Sequence, residues 1–129
     1  MRLAAAILRF ERHMSAAKDL VEKDLSDYYV YTALAMECFQ AANSLIEIGE
    51  RIVVLKKLGV PSSYREIFEL LHKAKLLSEE ELRAAKRMVF LRNLIAHEYY
   101  RITEEELREM VENLQKLVPF VERAKKIEG

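Results

Sequence analysis

The chain has 129 residues, of which 51% are hydrophobic and 33% charged, with only three glycines and two prolines. This composition predicts one compact helical domain covering residues 1–129, and it argues against a disordered or β-rich chain. The formal net charge is zero, so overall charge predicts no polyanionic partner, and nucleic-acid binding would require local clustering of basic residues.

The cysteine content and the apolar runs indicate a compartment. Cys38 is the single cysteine in the sequence, so an intrachain disulfide is excluded and a reducing cytoplasm is expected. The opening MRLAAAILRFER has too few consecutive apolar residues for a secretory signal. Since no run approaches the roughly 18 apolar residues of a transmembrane helix, we expect a cytoplasmic protein with no membrane partner.

Two long helices are predicted in the first half of the chain. Ser26 and Asp27 predict a break followed by an N-cap, and the second helix is expected from about Tyr28 to Lys57 because residues 59–61, Gly-Val-Pro, stop it. The middle of this helix is apolar on more than one side, which predicts a central helix with several neighbours. The first helix is indicated by apolar residues at alternating three- and four-residue steps: Leu3, Ile7, Phe10, Met14, Ala17, Val21 and Leu25.

The second half contains three Ser/Thr-x-x-Glu patterns, which are typical of capping boxes at helix N-termini. Pro119 predicts an end or a kink in the last helix, and no alternating strand pattern is present. We therefore predict an all-α fold, an antiparallel four-helix bundle with an additional short helix. The three patterns are Ser63 with Glu66, Ser78 with Glu81, and Thr103 with Glu106.

Residues 91–100, LRNLIAHEYY, place unusual polar groups on an otherwise apolar helix. At about 100° per residue, Arg92 and Tyr99 share one stripe while Asn93 and His97 share another. Arg92 and His97 then lie about 140° apart, a loose arrangement within one chain. A two-fold pairing of this helix with its copy would bring two arginines and two histidines into one cleft, which predicts a homodimer.

A family resemblance rests on these residues. RNLIAHEY, residues 92–99, matches the R-x4-H-x-Y signature of HEPN domains, and the chain resembles in particular the HepT-like toxins of bacterial and archaeal HepT–MNT toxin–antitoxin pairs. The resemblance extends to GVPSSYREIFELLHKAKLLSEEELRAAKRMVFLRNLIAHEYYRI, residues 59–102, and to QAANSLIEIGERIVVLKKLG, residues 40–59. It implies a HEPN-like helical fold.

The resemblance also implies an activity and a partner. It implies a metal-independent endoribonuclease that acts on RNA with Arg92 and His97 as catalytic residues and without a cofactor. It further implies a cognate MNT-type nucleotidyltransferase antitoxin that silences the toxin by modifying Tyr99 with AMP. The chain has no nucleotidyltransferase Gly-Ser…Asp-x-Asp pattern, so it would be the substrate of that modification.

The residue types suit this chemistry. Histidine, with an unperturbed pKa of about 6.5, can accept and donate protons near neutral pH, and the arginine fork matches phosphate oxygens. We expect Asn93 either to orient His97 or to donate to the substrate. No metal site is predicted, because His13, His72 and His97 are far apart in the sequence and lack a neighbouring Cys or Asp cluster.

Two features of the neighbourhood have alternative interpretations. The polar line on helix two is interpreted as a solvated face or as a lining of the cleft in which Glu47 would hydrogen-bond Arg92 or His97; it comprises Glu37, Gln40, Ser44, Glu47 and Arg51. From Leu82 to Thr103 the basic residues outnumber the single acidic Glu98, which predicts salt-sensitive attraction of RNA phosphates; they are Arg83, Lys86, Arg87, Arg92 and Arg101.

Other functions remain open from the residues. The domain could be a non-catalytic helical module that binds a nucleotidyltransferase or a nucleotide, or the polar residues could only stabilise a dimer. Taken alone, Arg92 would form a salt bridge with Glu98 or with a glutamate of helix two. His97 alone would interact with the helix dipole, and Tyr99 would be an amphipathic rim residue.

Overall fold

The computed structural model describes residues 2–98 and 101–127, and the regular secondary structure within those ranges is entirely helical. The predicted all-α bundle is confirmed. Within the described part, no helix is both long and apolar enough to cross a membrane. The helices are α1 (Arg2–Leu20), α2 (Tyr28–Leu55), α3 (Tyr64–Lys73), α4 (Glu79–Glu98), α5 (Glu104–Lys116) and α6 (Val118–Ala124).

Helix α2 is the centre of the bundle, as predicted. It contacts each of the other five helices, and its side chains Leu34, Leu45, Ile48 and Ile52 are fully buried. An amphipathic helix with one apolar face cannot satisfy so many neighbours, which explains why apolar residues surround the middle of α2. The helix ends at Leu55, followed by backbone with positive φ at Lys57 and at Gly59.

The capping residues fix where the later helices begin. Thr103 and Glu106 form a reciprocal capping box at the start of α5, and Ser78 and Glu81 bond each other's backbone N–H groups before α4. At α3 the N-cap is Ser63, whose hydroxyl accepts from the N–H of Glu66. The three predicted helix starts are therefore confirmed.

Two helix ends differ in detail from the prediction. The apolar stripe of the first helix continues to Leu25, which is buried, but α1 itself ends at Leu20 and turns follow it. The last predicted helix divides into α5 and α6 at Leu117, with Pro119 in the first turn of α6. Since proline has no N–H to donate, it fits a helix start and not a helix interior.

Gly49 allows α2 and α3 to approach closely. A Cβ atom at this position would lie 2.8 Å from Cγ2 of Ile67 and 3.4 Å from Cδ1 of Leu71, and the first of these distances is too short for two carbon atoms. Glycine inside a helix costs about 1 kcal/mol relative to alanine. Here the close packing of α3 offsets that cost, and it brings Tyr64, the first residue of α3, towards α4.

Candidate functional site

Three polar residues near the end of α4 face a common groove. Arg92, Asn93 and His97 line an open groove of about 570 Å³, together with residues 62–65 and Val89. We call this the motif groove. It extends around the surface of α4, so the angle of about 140° between Arg92 and His97 does not prevent one chain from presenting both side chains to a common space.

Arg92 is held by uncharged groups. Its Nε donates a hydrogen bond to Oδ1 of Asn43 at 2.8 Å, and its Nη1 donates to Oδ1 of Asn93 at 2.9 Å. The rings of Phe39 and Tyr64 each have their centroid 5.0 Å from Cζ of Arg92, within cation–π range. The guanidinium is half-buried and oriented by α2, α3 and α4 at once.

The carboxylates that were expected near Arg92 have other partners. Within the described residues, no ion pair joins Arg92 to a carboxylate, so the alternative of a salt bridge is not the observed arrangement. Glu98 pairs with Arg101 at 3.3 Å. The carboxylate of Glu47 accepts from Arg9 of α1 at 2.5 Å, and among the described residues it has no hydrogen bond with Arg92 or His97.

A second groove meets the motif groove at Arg92. This α2 groove has a volume of about 580 Å³, and both Arg92 and Tyr64 line both grooves. Glu47 therefore lines the cleft beside Arg92, although its hydrogen bond goes to Arg9. The residues that line the α2 groove are Asn43, Ile46, Glu47, Glu50, Arg51, Val54, Tyr64 and Arg92.

The remaining motif residues have different environments. His97 lies in the last turn of α4 with an exposed side chain that borders the motif groove. The side-chain Oδ1 of Asn93 accepts a hydrogen bond from Arg92. Asn93 therefore supports Arg92, a role that was not among the two expected for it. Tyr99, the expected modification site, lies outside the described residues.

A comparison with known families decides the classification. The model of the family described as ribonuclease HepT-like matches residues 3–124, which is nearly the whole chain. The chain belongs to the HepT-like ribonuclease family. The resemblance read from residues 92–99 and their flanks is confirmed at the level of the family.

Individual relatives agree with this assignment. The mRNA nuclease HepT of Shewanella oneidensis is 28% identical over 76 residues, which cover 59% of this chain and 57% of that relative. The chain thus matches a little over half the length of this curated relative.

Solved structures show the fold of the HepT-like chain. A tri-AMPylated Shewanella oneidensis HEPN toxin in complex with MNT antitoxin has a TM-score of 0.86 at 23% identity, with 98% of both chains covered. A toxin–antitoxin complex with AMP-PNP gives 0.88 at 20% identity, again with 98% of both covered. YutE of Bacillus subtilis, a cytosolic protein of unknown function, gives 0.85 at 18% identity, covering 95% of this chain and 85% of its own.

Three residues that contact Arg92 in the HepT-like fold were not predicted from the sequence: Asn43, Phe39 and Tyr64. Asn43 carries a detectable signal, since it lies three residues after Gln40 and four before Glu47 on one helical stripe. The predicted polar line of helix two included Ser44 and omitted Asn43. Ser44 is 5% exposed, and its hydroxyl donates to the carbonyl of Gln40 at 2.9 Å, so its assignment to a solvated face is wrong.

Carboxylates compensate much of the positive charge of the basic strip on α4 of the HepT-like chain. Arg87 donates two hydrogen bonds to Glu109, at 2.7 and 3.0 Å, and the hydrogen bond from Arg87 lowers the pKa of Glu109. Lys86 pairs with Glu69 at 3.0 Å. Together with the Arg101–Glu98 pair, these contacts remove much of the attraction that the strip would otherwise exert on phosphates.

Other reactive side chains lie apart from the motif groove. His13 contacts Glu37 at 2.7 Å and His72 contacts Glu79 at 3.2 Å. Cys38 is fully buried, and this burial raises the pKa of its thiol to about 12, so the thiol is unreactive. In residues 2–98 and 101–127, no group of three or more His, Cys, Asp or Glu side chains is arranged to hold a metal ion.

Proposed function

We propose that the chain is the toxin of a HepT–MNT type toxin–antitoxin system, an endoribonuclease that cleaves RNA without a metal ion. One observation carries the proposal: a half-buried arginine, which has no carboxylate partner among residues 2–98 and 101–127, shares a groove with an exposed histidine. The family assignment and a relative called mRNA nuclease HepT support it. We also propose a cytoplasmic location, because the proposed RNA substrate and the proposed ATP-using partner would both be available there.

The residues of the motif groove suit cleavage by the 2′-hydroxyl of the RNA. One base takes the 2′-hydroxyl proton as the O2′–P bond forms, and one acid protonates the leaving 5′-oxygen as the P–O5′ bond breaks. This gives a 2′,3′-cyclic phosphate and a 5′-hydroxyl. Arg92 holds the charged phosphate, and His97 serves as a proton-transfer group.

The two proton transfers favour a homodimer. Among the described residues, His97 is the histidine that lines the motif groove, whereas His13 and His72 are engaged elsewhere. A single imidazole near one phosphate performs one of the two transfers well. A second copy of the chain, paired with the first through α4 by two-fold symmetry, would contribute a second Arg92 and a second His97, so that one histidine acts as base and the other as acid.

Substitution of His97 tests the proposed activity. His97→Ala should lower RNA cleavage by at least about 100-fold, in the range of a lost general acid or base, and should relieve growth inhibition on induction. The matched control is His72→Ala, which removes a half-buried histidine paired with Glu79 on another face and should keep full activity. Wild-type cleavage should persist in EDTA. Undiminished cleavage by His97→Ala would remove the role assigned to this residue.

The rival functions give different outcomes in the same experiments. A non-catalytic module would bind the nucleotidyltransferase or a nucleotide normally and would cleave no RNA under any condition. If the polar residues only stabilise a dimer, Arg92→Ala would convert dimer to monomer, seen by analytical ultracentrifugation, and would change no catalytic activity.

The proposed antitoxin is a cognate MNT-type nucleotidyltransferase that adds AMP to Tyr99. A relative of the same fold is described as a tri-AMPylated HEPN toxin in complex with MNT antitoxin. With the nucleotidyltransferase and ATP, wild-type protein should gain the mass of one or more AMP groups. Tyr99→Phe should gain none, and Tyr100→Phe is the matched control that should be labelled. Equal labelling of Tyr99→Phe and wild type would exclude Tyr99 as the acceptor.

A further inference from the structure

Among the described residues, the arginines whose side chains form a hydrogen bond or an ion pair with another side chain fall into two groups by partner. In the described residues, Arg92 is bonded to two side-chain amides and has no ion pair. Most arginines with a side-chain contact instead meet a glutamate: Arg9 with Glu47, Arg87 with Glu109, Arg101 with Glu98, Arg108 with Glu104, and Arg123 with Glu81. Arg92 is thus an oriented cation with no direct ion pair among these residues, although Glu47 and Glu50 line the α2 groove beside it.

Asn43 is central to this arrangement. Its Oδ1 accepts from Nε of Arg92 at 2.8 Å, across the contact between α2 and α4. The second bond, from Nη1 to Asn93, comes from the adjacent residue on the same helix. Asn43 therefore fixes the direction of the guanidinium relative to the rest of the bundle, whereas Asn93 alone would let the arginine move with α4.

The neutrality of the amide has a physical consequence. An aspartate at position 43 would offer the same acceptor atom but would add a negative charge at about 3 Å from the cation, in a half-buried place where charges interact strongly. The phosphate would then compete with that carboxylate. With an amide, the guanidinium keeps its full charge, and the remaining N–H groups on Nη1 and Nη2 are available for an anion.

We propose that Asn43 is a positioning residue for the proposed ribonuclease: it orients Arg92 through Nε while leaving its charge free for the RNA phosphate. This inference rests on the proposed function. It assigns to α2 a direct part in phosphate recognition. It also gives a reason for the presence of the polar Asn43 on α2, where it lines the α2 groove beside Arg92.

Variants at position 43 separate orientation from charge. Asn43→Ala removes the acceptor, so kcat should fall about fivefold to tenfold with KM within about twofold, because the developing charge of the transition state needs the oriented fork more than the bound substrate does. Asn43→Asp keeps the acceptor but compensates the cation. Its RNA affinity should fall, and the slope of log affinity against log salt should decrease by about 0.7, the value for one phosphate contact to a single strand.

A second background tests whether Asn43 acts through Arg92. Lysine has no Nε–H group in a planar fork, so in Arg92→Lys protein the further change Asn43→Ala should alter kcat by less than about twofold. Asn113→Ala is the matched control, since that amide donates to the carbonyl of Glu109 on α5 and should leave cleavage unchanged. Circular dichroism should show the same helix content for all variants.

The outcomes distinguish this inference from the proposed function. If Arg92→Ala retains full cleavage, the role of Arg92 fails, and the inference fails with it. If Arg92→Ala abolishes cleavage while Asn43→Ala and Asn43→Asp both behave as wild type, the proposed function stands and the inference alone is overturned. An equal loss from Asn43→Ala in both backgrounds would also overturn it, because Asn43 would then act independently of Arg92.

Discussion

Arg92 takes its orientation from side chains on two other helices, since Asn43 and Phe39 lie on α2 and Tyr64 begins α3. His97 shares the motif groove with Arg92, although the helical angle places the two residues on different stripes of α4. The loop at residues 62–65 closes one side of the motif groove, and its contribution depends on how α3 packs against α4. Helical spacing within one element could not predict that contact, and it also left Tyr64 and Phe39 unassigned.

Arg9 is a second residue whose partner affects the site. It pairs with Glu47 at 2.5 Å, and both side chains are partly exposed. Glu47 lines the α2 groove with Arg92, so its carboxylate would be attracted to Arg92 if Arg9 were absent. The Arg9–Glu47 pair therefore keeps a competing anion engaged.

We expect Arg9→Gln to weaken RNA binding about two- to fivefold, the range that an exposed ion pair of up to about 1 kcal/mol allows. Binding is measured in a His97→Ala background, in which the proposed cleavage is expected to be lost, so that the RNA stays intact. The double change Arg9→Gln with Glu47→Gln should restore the affinity. If the double variant remains as weak as Arg9→Gln, then Arg9 contacts RNA directly and the competition is wrong.

At the scale of elements, the N-terminus of α4 is tied to α6. Glu81 completes the cap with Ser78, and its Oε1 accepts from Arg123 of α6 at 2.6 Å. Arg123 also donates to the carbonyl of Leu76. Burial of Glu81 opposes its ionisation, but the hydrogen bonds from Arg123 and Ser78 outweigh burial and lower the pKa of this carboxyl. One side chain thus joins the start of the motif helix to the end of the fold.

This contact predicts a pH-dependent stability. Because the folded-state pKa of Glu81 is lower than its ordinary value of 4.5, the stabilisation is present above that value and is lost as pH falls through the folded pKa. Glu81→Gln keeps the capping acceptor and should lower the free energy of unfolding by about 1 kcal/mol at pH 7. Urea unfolding followed by circular dichroism should show this difference shrinking as the pH falls below 4.5. A difference that is constant with pH would contradict the assignment.

At the scale of the whole molecule, the bundle was largely predictable and the groove was not. Three capping patterns, the Gly-Val-Pro stop after α2 and Pro119 located most helix ends, because each of these signals acts within one turn of backbone. The apolar surroundings of α2 predicted its central place. The ion pairs between helices were not predictable from the sequence, because the partners Arg9 and Glu47, and likewise Arg87 and Glu109, are far apart along the chain and meet only in the packed fold. The Glu98–Arg101 pair is different, since its two residues are three positions apart.

The absence of a side chain at Gly49 restricts which substitutions related chains can accept at the contact between α2 and α3. The atom in its way is the β-branch methyl of Ile67, 2.8 Å from a Cβ at position 49, and leucine has no methyl at that branch. A related chain with alanine in place of Gly49 is therefore expected to carry leucine or a smaller residue in place of Ile67. The two positions should change together in evolution, so that the distance between α2 and α3, and with it the position of Tyr64 beside Arg92, is inherited as a pair of residues.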